Sequence, residues 1–233
     1  WVEIVNQQAD PPMETQLYTR SEPAMLPLFP RLIYLALLED DYTEQQILGG
    51  LDISAEQLQD ETYRLSIEQH ERFILRLLEL TNDPHFTLRI WKNYDPTSAN
   101  IFLLAVANSG QISKALHLIT RYNKLFTRTL SIRSFEVDEQ VVMDIEPQLE
   151  HDSVIYFALI NFVLFLDSFF SSVLEGRHLI NRVEMALPRP AGFDEIKGDI
   201  GVPVTFEHSQ TRIYFNRELL DQPAHVTTRC AWQ

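Results

Sequence analysis

The stretch VIYFALINFVLFLDSFFSSVL, Val154–Leu174, decides the fold. Fourteen of its residues are Val, Ile, Leu or Phe, yet Asn161 and Asp167 stand inside it. In a bilayer each of those apolar residues favours insertion by roughly 0.3–0.6 kcal/mol near a helix centre, and Asp167 opposes it by about 2.5–3.5 kcal/mol. Hydropathy alone therefore leaves a membrane span open. The flanks argue against it. His151 and Asp152 precede the stretch, Glu175 and Arg177 follow it, and amphipathic helices and strands stand on both sides. The better reading is a helix buried on nearly all sides, the centre of a folded core, with no membrane involved.

The surroundings fit such a core. The chain has 233 residues, 45% hydrophobic and 22% charged, which is enough for one domain of ordinary size or two small ones. A net charge of −14 repels a phosphate backbone and excludes direct nucleic-acid binding by these residues. The lone Cys230 permits no intrachain disulfide, which fits a reducing cytoplasm. The N-terminus has no basic-then-apolar leader and no initiator Met, as expected of a fragment.

Upstream of the apolar stretch the pattern is helical. Residues 1–24 hold Pro11, Pro12 and Pro23 without a clear period and read as an arm or weakly ordered tail. From Pro30, Leu32, Leu35 and Ala36 share a face. Thr43…Gln46, Ser54…Gln57 and Ser66…Gln69 are three capping boxes, the first closed by Gly49-Gly50. Phe73, Ile74, Leu77 and Leu78 line the third helix, which Asn82-Asp83-Pro84 ends. The helix–glycine–helix of 43–58 imitates a DNA-reading motif. However, Glu39–Glu61 carries eight acidic residues and no Lys or Arg, so it reads as a structural hairpin. Helices follow near 85–94 and 98–108. Ile112, Ala115, Leu116, Ile119, Tyr122 and Phe126 then form one stripe.

Strands begin where the period changes to two. Leu130 and Ile132, then Val141, Met143 and Ile145, predict a hairpin turning at Asp138-Glu139-Gln140. Beyond the apolar helix, which Gly176 should stop, 182–187 reads as a strand, 191–199 as a helix, and 204–206 with 211–215 as a second hairpin. The class is α+β: a helical N-terminal half, then an antiparallel sheet with interposed helices, one of them long and buried.

Chemistry is sparse. The seven glycines make no phosphate loop, and the seven histidines show no metal-ligand spacing. Cys230 has no visible base. No metal, cofactor or catalytic role is expected, so the reading is not an enzyme. The buried polar residues carry more information. Asn161 and Asp167 lie about 600° apart around a helix and do not share a face. A buried carboxylate needs a partner. Arg89, Arg121 or Arg133 would serve Asp167 within the core; otherwise Asn161 or Asp167 reaches a ligand cavity with aromatic walls.

Three segments carry a resemblance: LTNDPHFTLRIW (80–91), ALHLITRYNKLF (115–126) and VPVTFEHSQTRIYFNRELLDQP (202–223). Thr81, Asp83, Pro84 and Leu88-Arg89, then Ala115-Leu116 and Arg121-Tyr122, then Pro203, Val204, Phe206 and Leu219…Pro223 occur in that order. From about 26 to 223 the chain resembles the N-terminal effector-sensing domain of AraC-type transcriptional regulators. It departs from that pattern at Ala99 and Phe102, where members often have glycine, and at Gln111, where a Thr cap is usual.

The resemblance implies an arm over 1–24, an effector-sensing and dimerisation domain over 25–223, and the start of a linker over 224–233. It also implies a cytoplasmic homodimer, a small organic effector, and DNA contact only through a separate C-terminal helix-turn-helix domain. Candidate wall residues are Trp91, Phe102, Tyr122, Phe126, Phe157 and Phe165, with Asn161 and Asp167 as polar anchors. A sensor requires a cavity above roughly 300 Å³. The alternative, a ligand-free dimerisation module, requires a sealed core and an exposed apolar patch.

Overall fold

The structure, a computed structural model, describes residues 19–93, 101–138 and 140–224. The helices are α1 (Leu28–Glu39), α2 (Glu44–Leu48), α3 (Ala55–Gln59), α4 (Ile67–Thr81), α5 (Thr87–Asn93), α6 (Ile101–Ala107), α7 (Ile112–Phe126), α8 (Asp152–Val173), α9 (Phe193–Ile200) and α10 (Arg217–Leu220). The strands are β1 (Pro23–Met25), β2 (Leu65–Ser66), β3 (Leu130–Val137), β4 (Gln140–Pro147), β5 (Ile180–Glu184), β6 (Val204–Thr205) and β7 (Thr211–Phe215).

The apolar stretch is α8, and it is the centre of the molecule. Val154, Phe157, Ile160, Val163, Leu166, Phe169 and Phe170 are all buried, although they point in different directions around the helix. Helices α4 and α5 cover part of this surface. Burying each large apolar side chain contributes about 1.5–3 kcal/mol, so a helix apolar on every side is stable only when covered on every side. By length and composition α8 would suit a membrane, but its apolar surface is already spent on protein. It ends where Glu175 and Gly176 take positive φ and the Gly176 amide returns to the Ser171 carbonyl at 2.8 Å. Only glycine takes that backbone at no cost.

All three capping boxes form. Thr43, Ser54 and Ser66 each accept from the amide three residues on, and each of their Gln partners reaches back. Asn82 ends α4 in the left-handed region at φ 49°. Gln111, at the position of the usual Thr, makes no side-chain cap. The acidic hairpin of α2 and α3 packs Ile47, Leu48 and Leu58 into the core.

Several expectations are corrected. In α1 the core face is Pro30, Ile33, Tyr34 and Leu37, one step round from the stripe read in sequence, and Leu35 is exposed. The Tyr34 hydroxyl, donating to Glu44 at 3.0 Å, helps set that rotation. In α7 the buried stripe continues through Asn123, and Tyr122 sits at the surface. Pro23–Met25 pairs with Leu65–Ser66 as β1–β2, and residues 1–18 lie outside those described.

The large sheet runs β3-β4-β7-β5-β6. The β3–β4 hairpin closes at Val137↔Gln140, so Gln140 is strand rather than turn, and Glu139 lies outside the described residues. No second hairpin forms. Strand β7 is antiparallel to both β4 and β5, and β6 pairs in parallel with β5, Val183↔Val204. The reason is geometric: β7 already has a neighbour on each edge, so β6 is left the free edge of β5. The strand read over 182–187 spans 180–184, because beyond it Met185 bonds Thr205 and Leu187 accepts from Glu207 outside regular pairing. One face of the sheet buries Val141, Met143, Val183 and Ile213. The other carries polar cross-strand pairs: Arg212 donates to Asp144 at 2.8 Å, and Arg182 lies over the Tyr214 ring at 3.5 Å.

The N-terminal segment is fastened by charge. Buried Glu71 of α4 accepts from Arg20 and, at 2.7 Å, from the backbone amide of Glu150 just ahead of α8. The capping boxes should act independently of this clamp. Ser66→Ala removes the bond to the Gln69 amide at 3.1 Å and should cost about 1 kcal/mol in urea unfolding without changing the slope.

Candidate functional site

The site begins with a need created by α5. Its last turn presents Trp91, whose indole N–H can only donate. Across from it α8 presents Asn161, and Asn161 Oδ1 accepts from Trp91 Nε1 at 2.7 Å and from Thr87 Oγ1 at 2.9 Å. Two donors converging on one atom fix the amide's orientation, with the carbonyl towards α5 and the NH2 group elsewhere. Trp91 stacks on Phe29 of α1, 6.1 Å between centroids and nearly parallel, and leans on Phe165 of α8 at 5.6 Å. Phe29 in turn meets Phe157 at 6.1 Å. On the far side Phe102 of α6 packs on Phe126 of α7 at 4.8 Å.

Between these two aromatic groups lies a cavity of about 150 Å³. Trp91, Phe102, Phe126, Phe157, Asn161 and Phe165, all candidates from sequence, line it together. Two candidates do not. Tyr122 touches Phe102 edge-on at 5.9 Å and stands outside the wall. Asp167 lies further along α8, away from the cavity, and its carboxylate is held by His178 Nδ1 at 2.9 and 3.0 Å. The expected arginine partner is thus replaced by a histidine, and Arg89 instead pairs with Asp40 at 2.6 Å.

Sequence reasoning missed other parts of the wall. Leu28, Phe29 and Leu32 come from α1, Leu26 from the segment after β1, and Asn123 from α7. Asn123 Nδ2 donates to the Leu130 carbonyl at 2.9 Å. The most telling omission is His70 of α4, which lines the cavity at 3% exposure with Nδ1 unpartnered. A signal was present, since His70 and Glu71 fall between Ile67 and Ile74 on the inward stripe of α4.

The cavity is half the volume expected of a sensor. The aromatic rings explain this, since they lean on one another across it and fill much of the space. It is still the size of an engineered apolar void that takes up benzene. A second cleft, about 520 Å³, runs over the polar edge of the sheet by Arg133, Asp144, Glu146 and Gln210. Among the described residues no three His, Cys, Asp or Glu side chains converge on a metal-sized space.

Burial pushes the His70 pKa down from 6.5 to about 4, so the ring is neutral at pH 7. The unfolded chain takes up this proton first, so stability falls as pH drops from about 6.5 to about 4. His70 should contribute roughly 3 kcal/mol to that fall, visible as a lower melting temperature and absent in His70→Leu. Asn161→Leu strands the Trp91 and Thr87 donors and should cost about 2–3 kcal/mol in urea unfolding, whereas Asn161→Asp, which keeps an acceptor, should cost less.

Comparison with known proteins places this architecture. No curated protein sequence matches the chain. Among solved structures, the transcriptional regulator CdpR from Pseudomonas aeruginosa is similar, with a TM-score of 0.57 and 19% identity, covering 84% of this chain and 57% of that one. That likeness establishes a shared fold, and the chain spans little more than half the length of CdpR. The family model described as the arabinose-binding domain of AraC transcription regulators, N-terminal, matches residues 43–224. The chain therefore belongs to the family of arabinose-binding N-terminal domains of AraC-type transcription regulators.

Proposed function

We propose that this domain is the ligand-sensing part of a bacterial, cytoplasmic AraC-type transcription factor, controlling DNA binding by a C-terminal helix-turn-helix domain outside this chain. The observation that carries the reading is the cavity between α1, α5, α6, α7 and α8, walled by Trp91, Phe102, Phe126, Phe157 and Phe165. A domain serving only to dimerise has no need of such a space, since close packing of the same rings is more stable. The wall draws on five helices and on α4, so a ligand that separates the rings biases several elements at once. Signal transfer requires only that the effector prefer one of two arrangements, typically by 1–3 kcal/mol.

Ile101, Leu104 and Leu125 leave apolar side chains exposed on α6 and α7, which supports a homodimer of such domains. The alternative reading, a ligand-free dimerisation module, draws on that same surface.

Trp91 makes the test direct. In a Trp1→Phe, Trp232→Phe background it is the sole tryptophan, and it forms part of the cavity wall. Small organic compounds should change its fluorescence and, at a hundred times the dissociation constant, stabilise the domain by about 2.7 kcal/mol. Fluorescence unmoved by a broad panel, together with a melting temperature that rises with protein concentration, would favour the dimerisation module.

A further inference from the structure

We infer that the cleft over the polar edge of the sheet is a second ligand site, which takes a small zwitterion with an additional positive group, the chemistry of a basic amino acid, on Arg133, Glu146 and Asp152. The cleft shares no lining residue with the aromatic cavity, and the inference does not depend on the sensing role proposed for that cavity.

Size comes first. At about 520 Å³ the cleft falls within the roughly 300–1,000 Å³ of small-molecule sites, a range the aromatic cavity does not reach.

Charge pairing comes second. On this face of the sheet Arg133 of β3, Asp144 of β4, Arg212 of β7 and Glu184 of β5 stand side by side in register. Asp144 therefore has an arginine on each side, and it takes Arg212, whose Nε donates at 2.8 Å. Gln210 Oε1 holds the other end of that guanidinium at 2.6 Å. Glu184 accepts from the Tyr214 hydroxyl at 2.9 Å and pairs with Arg182 at 3.4 Å. Arg133 is left over: among the described residues it makes no hydrogen bond or ion pair.

Two carboxylates share the cleft with it. Glu146 follows Asp144 by two residues on the same face of β4, diagonal to Arg133, and Asp152 comes from the first turn of α8. Neither has a partner among the described residues. All three side chains are exposed, so a ligand can reach them.

One positive and two negative groups without partners call for one negative and two positive groups in return. A carboxylate suits the guanidinium fork of Arg133, which can bond both of its oxygens. Ammonium or guanidinium groups suit Glu146 and Asp152. A dicarboxylate would meet like charges, and a diamine would leave Arg133 beside a cation. Because the three side chains are exposed, each pairing is screened, so binding is weak and falls with salt.

The test titrates the full chain at low salt, by calorimetry, with L-arginine, putrescine and succinate. L-Arginine should bind with a dissociation constant on the order of 1 mM, and the other two about fivefold more weakly. Arg133→Leu and Glu146→Gln should each weaken L-arginine about fivefold, and Arg133→Leu should not weaken putrescine. Both variants should melt with the parent, since neither side chain has a partner to lose.

No heat from L-arginine well above that concentration overturns the site. An affinity unchanged in either variant overturns the assignment to this cleft. Putrescine or succinate binding as tightly as L-arginine overturns the ligand class. The aromatic cavity is read separately by Trp91 fluorescence, so either site can fail alone.

Discussion

A helix apolar on every side cannot face water, and most of this fold is arranged to cover one. Helix α8 holds Phe157, Phe162, Phe169 and Phe170 buried in different directions, so it needs neighbours all round. The helical half supplies α4 and α5, and from the C-terminal half Phe206 meets Tyr156 of α8 at 6.5 Å between ring centroids. Asn161 and Asp167, the two polar residues in the middle of α8, are tolerated because each is answered. Asn161 takes the Trp91 and Thr87 donors, and Asp167 takes His178. Left unanswered, either would cost more than a neighbouring phenylalanine contributes.

What was legible in the sequence was local. The capping boxes at Thr43, Ser54 and Ser66 formed because their chemistry spans four residues and needs nothing from elsewhere. The first hairpin formed in the register that its alternation implies. What was not legible depended on partners distant in the chain. Val204 and Thr205 alternate as a hairpin strand should, but which edge remains free is set by β4 and β5, not by β6 itself. The α1 stripe was read one step out of phase, since Leu32, Leu35 and Ala36 are as apolar as Ile33 and Leu37, and only the packing chooses between them.

The site shows the same division. Aromatic residues on helices were the candidates, and six of the eight residues named from sequence line one cavity. Asp167 was drawn in by burial and chemical type, but the helix turns it away from Asn161, as their angular separation already implied. His70 escaped notice because a polar residue on an apolar stripe usually finds a partner in the core. Whether it does so depends on the walls opposite, which belong to α7 and α8.

The order of strands in the sheet has a consequence for synthesis. Strand β7, contributed by Thr211–Phe215, lies in the middle of the sheet and bridges β4 to β5. As the chain leaves the ribosome, α8 emerges some forty residues before the strand that joins β4 to β5. For that interval the growing polypeptide carries two unjoined strand edges, the kind of intermediate that chaperones recognise. Domain completion is therefore nearly all-or-none in chain length. A premature stop anywhere before Thr211 removes the keystone strand and leaves a product for proteolysis rather than a smaller folded domain.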